Sequence, residues 1–245
     1  MLIKDSTHLT DQFINCFKDI VEQVLNESPV VTDEWRKKFD ILVISNSLHF
    51  VSTLTRGCYD KKEFDRKFLC EHYKDYSMRW EFKPYLSTVE YHIDEKGLMH
   101  IDNLFIMIKY NVVAQQIADN LDRLEILKQI FEIDARHEVG HIIDYISLIE
   151  GKNYEEYDKN VTKPDNAATD AYYKWKDETF KAFFDRKEDV DNETLRMSTE
   201  KYYRLPAEER ADILGGVDRT KFISLVYDNM PTTVDINIDV VKSTK

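Results

Sequence analysis

From about residue 113 to residue 150 the sequence keeps one helical pattern, and this run dominates what the chain can build. Leu121, Leu124, Leu127, Ile130 and Phe131 recur at three- and four-residue spacing, the apolar stripe of an amphipathic helix. Gly151 follows as a C-terminal stop. Punctuation is sparse throughout: six glycines and five prolines in 245 residues argue for a helix-rich protein with few tight turns. Hydrophobic residues at 42% are enough for a real core, and an aromatic share of 12% argues against disorder.

The remaining elements read as follows. Thr10 and Asp11 are good N-caps for a helix to about residue 28, with Phe13, Phe17, Ile20, Val21, Val24 and Leu25 at helical spacing and Pro29 as its end. Phe39–Ile44 and His49–Leu54 are short and rich in β-branched and aromatic side chains, hence strands. Residues 61–77 suit an amphipathic surface helix. Ser87–Ile93, a turn at Glu95-Lys96-Gly97 and Leu98–Ile108 form a hairpin, with His92 and His100 facing each other across it. Residues 152–165 are polar, with turn chemistry at Lys163-Pro164-Asp165-Asn166. Helices are predicted near 168–186 and 190–203, from Pro206 to about Leu214 before a Gly215-Gly216 break, and from an Asp218 cap to Tyr227. Val234–Val241 is a strand or an arm. The predicted fold is α+β and predominantly helical. A mixed lobe over 1–110, with a small mixed or antiparallel sheet, precedes a helical lobe over 111–245, as two lobes or one continuous domain.

Charge and cysteine usage narrow the function classes. Thirty-four Lys+Arg against 46 Asp+Glu give a net charge of −12, with no long basic block, so neither a nucleic acid nor an anionic membrane is the expected partner. Cys16, Cys58 and Cys70 are odd in number and lack CxxC spacing, which disfavours a disulfide scaffold and a cysteine zinc knuckle. No signal-peptide run and no membrane-length apolar stretch stands in the sequence, so a reduced, cytoplasmic protein is expected. GxxxxGK[ST], GxGxxG, GxSxG and the deaminase HxE plus PCxxC patterns are absent.

The chemistry concentrates at Arg136-His137-Glu138-Val139-Gly140-His141-Ile142-Ile143-Asp144-Tyr145, which contains HExxH. Positions i and i+4 lie one turn apart on the same helix face, so His137 and His141 can converge on one Zn²⁺ at ~2.0–2.1 Å each. Glu138 can then take a proton from the water that such an ion activates, without itself ligating. Chance gives this pattern in about two chains per hundred of such composition, and the apolar flanks within a predicted helix argue further against chance. A third ligand is required. The extended HExxHxxGxxH form is ruled out, because Ser147 and Asp144 stand where its last His and its Gly would be. In Leu205-Pro206-Ala207-Glu208-Glu209-Arg210-Ala211-Asp212, Glu208 and Asp212 share a helix face. Glu208 is the candidate ligand, with Glu209 as the alternative, and Asp212 can accept the Nδ1–H of a ligating histidine and fix its tautomer. Asp144, at i+3 from His141, either orients a neighbour at the site or is an ordinary helix charge.

With these residues the sequence resembles a family. HExxH followed downstream by ExxxD is the pattern of gluzincin metallopeptidases. Glu208–Asp212 is similar to their ExxAD segment, and His137–Asp144 (HEVGHIID) to the HExGHxxD stretch of anthrax-lethal-factor-like peptidases. The resemblance covers those two segments, 13 residues. It implies a zincin-like fold, zinc on His137, His141 and Glu208, Glu138 as general base and Asp212 behind a ligand. It also implies a tyrosine just before the third-ligand helix as oxyanion donor, where Tyr202 and Tyr203 stand, Tyr202 being the candidate and packing the alternative role for either, and a protein or peptide as substrate. An extended peptide would pair with a strand edge upstream of the zinc helix, the Leu98–Ile108 strand being expected because it immediately precedes the helical lobe. The alternatives from other classes are a structural or interaction protein, viral for instance, that keeps a zincin-like fold without proteolysis, and a peptidase with a single protein target.

Overall fold

A computed structural model describes residues 2–44, 49–52, 58–60, 84–186 and 190–229. The amphipathic helix expected at 61–77 and the segment Val234–Val241 lie outside the described residues. The architecture is α+β and mostly helical, with one mixed sheet.

Helix α1 (Leu2–Glu27) buries Ile14, Phe17, Val21, Val24 and Leu25, the stripe its sequence spacing predicts. It begins at Leu2 rather than at Thr10: Thr10 is fully buried inside the helix, so it is not a cap. After Pro29 a short helix α2 (Asp33–Lys38) intervenes, with acidic residues in its first turn and basic ones in its last, matching the helix dipole. Strands β1 (Phe39–Ile44), β2 (His49–Ser52), β3 (Cys58–Asp60), β4 (Tyr85–Ile93) and β5 (Met99–Lys109) follow. Their order in the sheet is β3-β2-β1-β5-β4. β1 and β5 run parallel, with Ile41 beside Ile106, and the other pairs are antiparallel.

This order corrects the expected docking edge. β5 is interior, between β1 and β4, and among the described residues the sheet edge next to the helical layer is β4. The reason is in the side chains. Leu104, Phe105, Ile106, Met107 and Ile108 are all buried, an uninterrupted apolar run that suits a strand covered on both faces. β4 interleaves Thr88, Glu90 and His92 with its apolar positions, as an edge tolerates.

The β4–β5 hairpin turns where predicted, over Asp94–Leu98, with Gly97 at φ 78°. His92 and His100 are opposite one another, ring centroids 5.4 Å apart. His100 lies between the carboxylates of Asp94 and Glu150, 3.3 Å from each. Hydrogen bonds to these two acids raise its pKa above the ordinary histidine value, against a smaller opposing effect of burial. A raised folded-state pKa stabilises most below the unfolded value of ~6.5, and the gain is lost as pH rises through the folded pKa. His100→Gln should therefore lower the melting temperature more at pH 6 than at pH 9. Equal losses in thermal melts at the two pH values would contradict this.

The long helical run resolves into α3 (Tyr110–Asp119), a 3₁₀ turn (Leu121–Arg123) and α4 (Leu124–Ile149). The break falls at Asn120, whose side chain donates to the Gln116 carbonyl at 2.8 Å and competes with the helix ladder. Leu121 consequently leaves the stripe and is 46% exposed. α4 is the hub of the core: Leu127, Ile130, Phe131, Val139, Ile142, Ile143 and Ile149 are buried in one cluster with residues of α1, β1, β4 and β5.

Beyond α4, the polar 152–165 segment is helical rather than a turn. Asn153 caps α5 (Tyr154–Tyr157) by accepting from the N–H groups of Glu155 and Glu156. A π-turn (Asp158–Thr162) leads into α6 (Lys163–Arg186), and Pro164 sits in its first turn, where a missing N–H does no harm. α7 (Asn192–Tyr202), α8 (Pro206–Gly215) and α9 (Arg219–Asn229) fall close to their predicted positions. α8 ends on Gly216 in the left-handed region, φ 65°. Among the described residues no helix is long and apolar enough to cross a membrane.

Candidate metal centre

The site lies where α4 and α8 cross, and glycine makes that crossing close. A Cβ built on Gly140 would stand 2.6 Å from the carbonyl carbon of Ala211, and one on Gly215 2.7 Å from that of Arg136. The two backbones therefore touch, and the acidic first turn of α8 is held over the HExxH turn of α4. A second tie lies one turn along α4. Arg210 of α8 bridges Asp144 at 3.0 Å and Asp165 of α6 at 2.7 Å. Asp144 is buried, and its carboxylate accepts from the Arg210 Nε–H in this interhelical pairing.

His137, Glu208 and His141 form a tight group whose candidate ligand atoms all lie within 4.8 Å of one another. His137 Nε2 is 3.0 Å from Glu208 Oε2 and 3.2 Å from His141 Nε2, and His141 Nε2 is 3.6 Å from the same Glu208 oxygen. A tetrahedral ion with bonds of ~2.0–2.1 Å holds neighbouring donors roughly 3.3 Å apart, the value these three separations bracket. The group can hold a metal ion, and the donor set of two imidazoles and one carboxylate suits a borderline transition metal. Glu209 is exposed and outside the group.

Polar contacts behind the ligands fix their state. Asp212 Oδ1 accepts from Nδ1–H of His137 at 2.7 Å, which leaves Nε2 facing the other two ligands. Asp212 is in turn gripped by Arg219, whose Nε lies 2.8 Å from Asp212 Oδ2 and whose terminal nitrogen pairs with Oδ1. The Arg219 guanidinium stacks on Tyr203, 3.5 Å above the ring centroid. Burial works against ionisation of His137, but the hydrogen bonds to Asp212 and Glu208 prevail and raise its pKa to about 9. Burial likewise opposes charge on Glu208, yet its contacts with the two histidines hold its carboxyl well below the ordinary range. A metal ion bound at Nε2 of His137 would have to displace any proton carried there. Nearby Asp134, buried one turn before His137, is pushed up by burial to about 7, with Arg219 and His137 pulling the other way.

Beside this group opens a cavity of about 310 Å³ lined by residues of β4, α4, α6 and α8. Glu138 faces it from α4, half-buried, its carboxylate 2.5 Å from the Ser87 hydroxyl. The Tyr202 hydroxyl, also on the cavity wall, donates to Glu208 Oε1 at 2.7 Å, the oxygen turned away from the histidines. No family, curated protein or solved structure gives a significant match to the chain.

The structure thus brings together His137, Glu138, His141, Glu208, Asp212 and Tyr202 and places Asp144 in a neighbouring ion pair. Sequence reading missed Ser87, Arg219 and Tyr85. Tyr85 lines the same cavity, stacked on Phe17 with centroids 4.5 Å apart, and its buried hydroxyl has no hydrogen-bond partner among the described residues. An unpaired buried hydroxyl costs about 1–3 kcal/mol of desolvation. Tyr85→Phe keeps the ring and should leave stability unchanged or raise it by about 1 kcal/mol in urea unfolding. A loss of that size would show that the hydroxyl is satisfied.

Proposed function

We propose that this chain is a zinc-dependent peptidase with a zincin-like catalytic core, related in its site to gluzincins. One observation carries the reading: α8 delivers Glu208 to Nε2 of His137 at 3.0 Å and Asp212 to Nδ1 of the same ring at 2.7 Å. A chance HExxH on a structural helix has no reason to receive a ligand and a tautomer-fixing carboxylate from one helix turn 71 positions away.

A bound Zn²⁺ supplies Lewis-acid polarisation of the scissile carbonyl and a water of lowered pKa. The protein supplies the rest. Glu138 accepts the proton of the attacking water and passes it to the leaving amine. The intact carboxylate favours an enzyme over a scaffold, since pure metal binding needs no base. Tyr202 stands at the cavity wall as a hydroxyl donor for the developing oxyanion. In the resting site its O–H is committed to Glu208, so that role requires the O–H to leave Glu208 Oε1. An extended peptide would add to β4, the edge strand of the described sheet, beside Glu138, rather than to β5.

The test is digestion of a proteome-derived peptide library by zinc-loaded protein, read by mass spectrometry. The reading expects new termini that a chelator abolishes. Identical peptide profiles with and without protein would overturn it in favour of a non-proteolytic binding protein.

A further inference from the structure

We propose that Ser87 is a positioning residue for Glu138, and that it joins the alignment of this carboxylate to the strand edge on which a peptide would dock. The inference rests on the peptidase reading for its catalytic consequence, but the positioning stands on geometry.

Ser87 is buried, on β4, 51 positions before Glu138 in sequence. Its Oγ lies 2.5 Å from Glu138 Oε2 and 2.9 Å from the Glu138 main-chain carbonyl oxygen. A hydroxyl has one proton, and the shorter, charge-assisted partner is the carboxylate. A half-buried glutamate on a helix otherwise turns about three side-chain torsions. The Ser87 hydrogen bond holds one oxygen of Glu138, a residue of the cavity wall, and does not engage the other.

The backbone of Ser87 faces a different way. Pro84 offers its carbonyl to the Lys109 N–H at 2.8 Å, and the β4–β5 register is regular from Tyr85 to Glu90. Main-chain groups of successive residues point to opposite sides of a strand, so those of Ser87, three residues on from Pro84, point away from β5, toward the outer edge of the described sheet. On that side the Ser87 carbonyl oxygen accepts from the Tyr145 hydroxyl at 3.3 Å. One residue thus touches the base with its side chain and borders the docking edge with its backbone. A peptide that adds to this edge settles the strand that carries the hydroxyl, and with it the carboxylate.

The experiment compares wild type, Ser87→Ala and Ser87→Thr. Crystal structures give the first readout. Glu138 should hold one conformer in wild type and in Ser87→Thr, and should move or split in Ser87→Ala. Kinetics on a peptide selected from the library give the second. Ser87→Ala should lower kcat about tenfold or more, with KM and zinc content unchanged, and Ser87→Thr should recover most of the loss. A Glu138 that stays in place in Ser87→Ala, or an alanine variant with wild-type kcat, overturns the proposal. If wild type cleaves nothing while Glu138 moves in Ser87→Ala, the positioning holds and the peptidase reading fails.

Discussion

Glu138→Gln should retain zinc at the wild-type stoichiometry and lose peptide hydrolysis by about 10²- to 10⁴-fold, the usual contribution of a positioned general base. Gln keeps the shape and still accepts a hydrogen bond from Ser87, which donates to Glu138 at 2.5 Å, but cannot take up a proton. The three ligand side chains are untouched, because Glu138 is outside the His137–His141–Glu208 group. The measurement is kcat/KM on a cleaved peptide alongside elemental analysis of the same sample. Residual activity within threefold of wild type would remove Glu138 from the mechanism.

Gly140→Ala should destabilise the protein by about 3 kcal/mol or more, although helix propensity alone predicts a gain of nearly 1 kcal/mol. The sign is set by packing. The new methyl would press on the backbone of Ala211, which has no rotamer to yield, so α4 and α8 must part. Separation also draws Glu208 away from His137 and His141, and zinc affinity in the folded fraction should fall with stability. Denaturant unfolding and zinc titration of the variant read both effects. Unchanged stability would mean that the helices are not in backbone contact. Gly215→Ala, pressing on Arg136, should behave alike.

These two cases show why parts of the site were legible in the sequence and others were not. His137, Glu138 and His141 are neighbours on one helix turn, so spacing alone reports them. Glu208 and Asp212 repeat the same i, i+4 relation, and their pairing with the first turn required only that two faces meet. Ser87 acts across 51 positions and Arg219 reaches the site through Asp212, and neither belongs to a spacing pattern that distinguishes it from any other serine or arginine. Its place just before the helical lobe suggests β5 as a sheet edge, but adjacency in sequence is not accessibility in the sheet. The unbroken apolar run Leu104–Ile108 already marked β5 as covered on both faces. Gly140 carried a faint signal as well: a glycine within a strongly apolar helix costs about 1 kcal/mol, which close backbone contact explains. Asp144 shows the converse, a carboxylate at metal-facing spacing that Arg210 claims for an interhelical tie.

Metal content decides the central claim. Protein purified with zinc, desalted and measured by native mass spectrometry should carry about one zinc per chain. Both His137→Ala and Glu208→Ala should lose it while keeping a cooperative unfolding transition. A wild-type protein that takes up no zinc, or a Glu208→Ala variant that binds it as tightly as wild type, would show that the crossing of α4 and α8 does not build a three-ligand site.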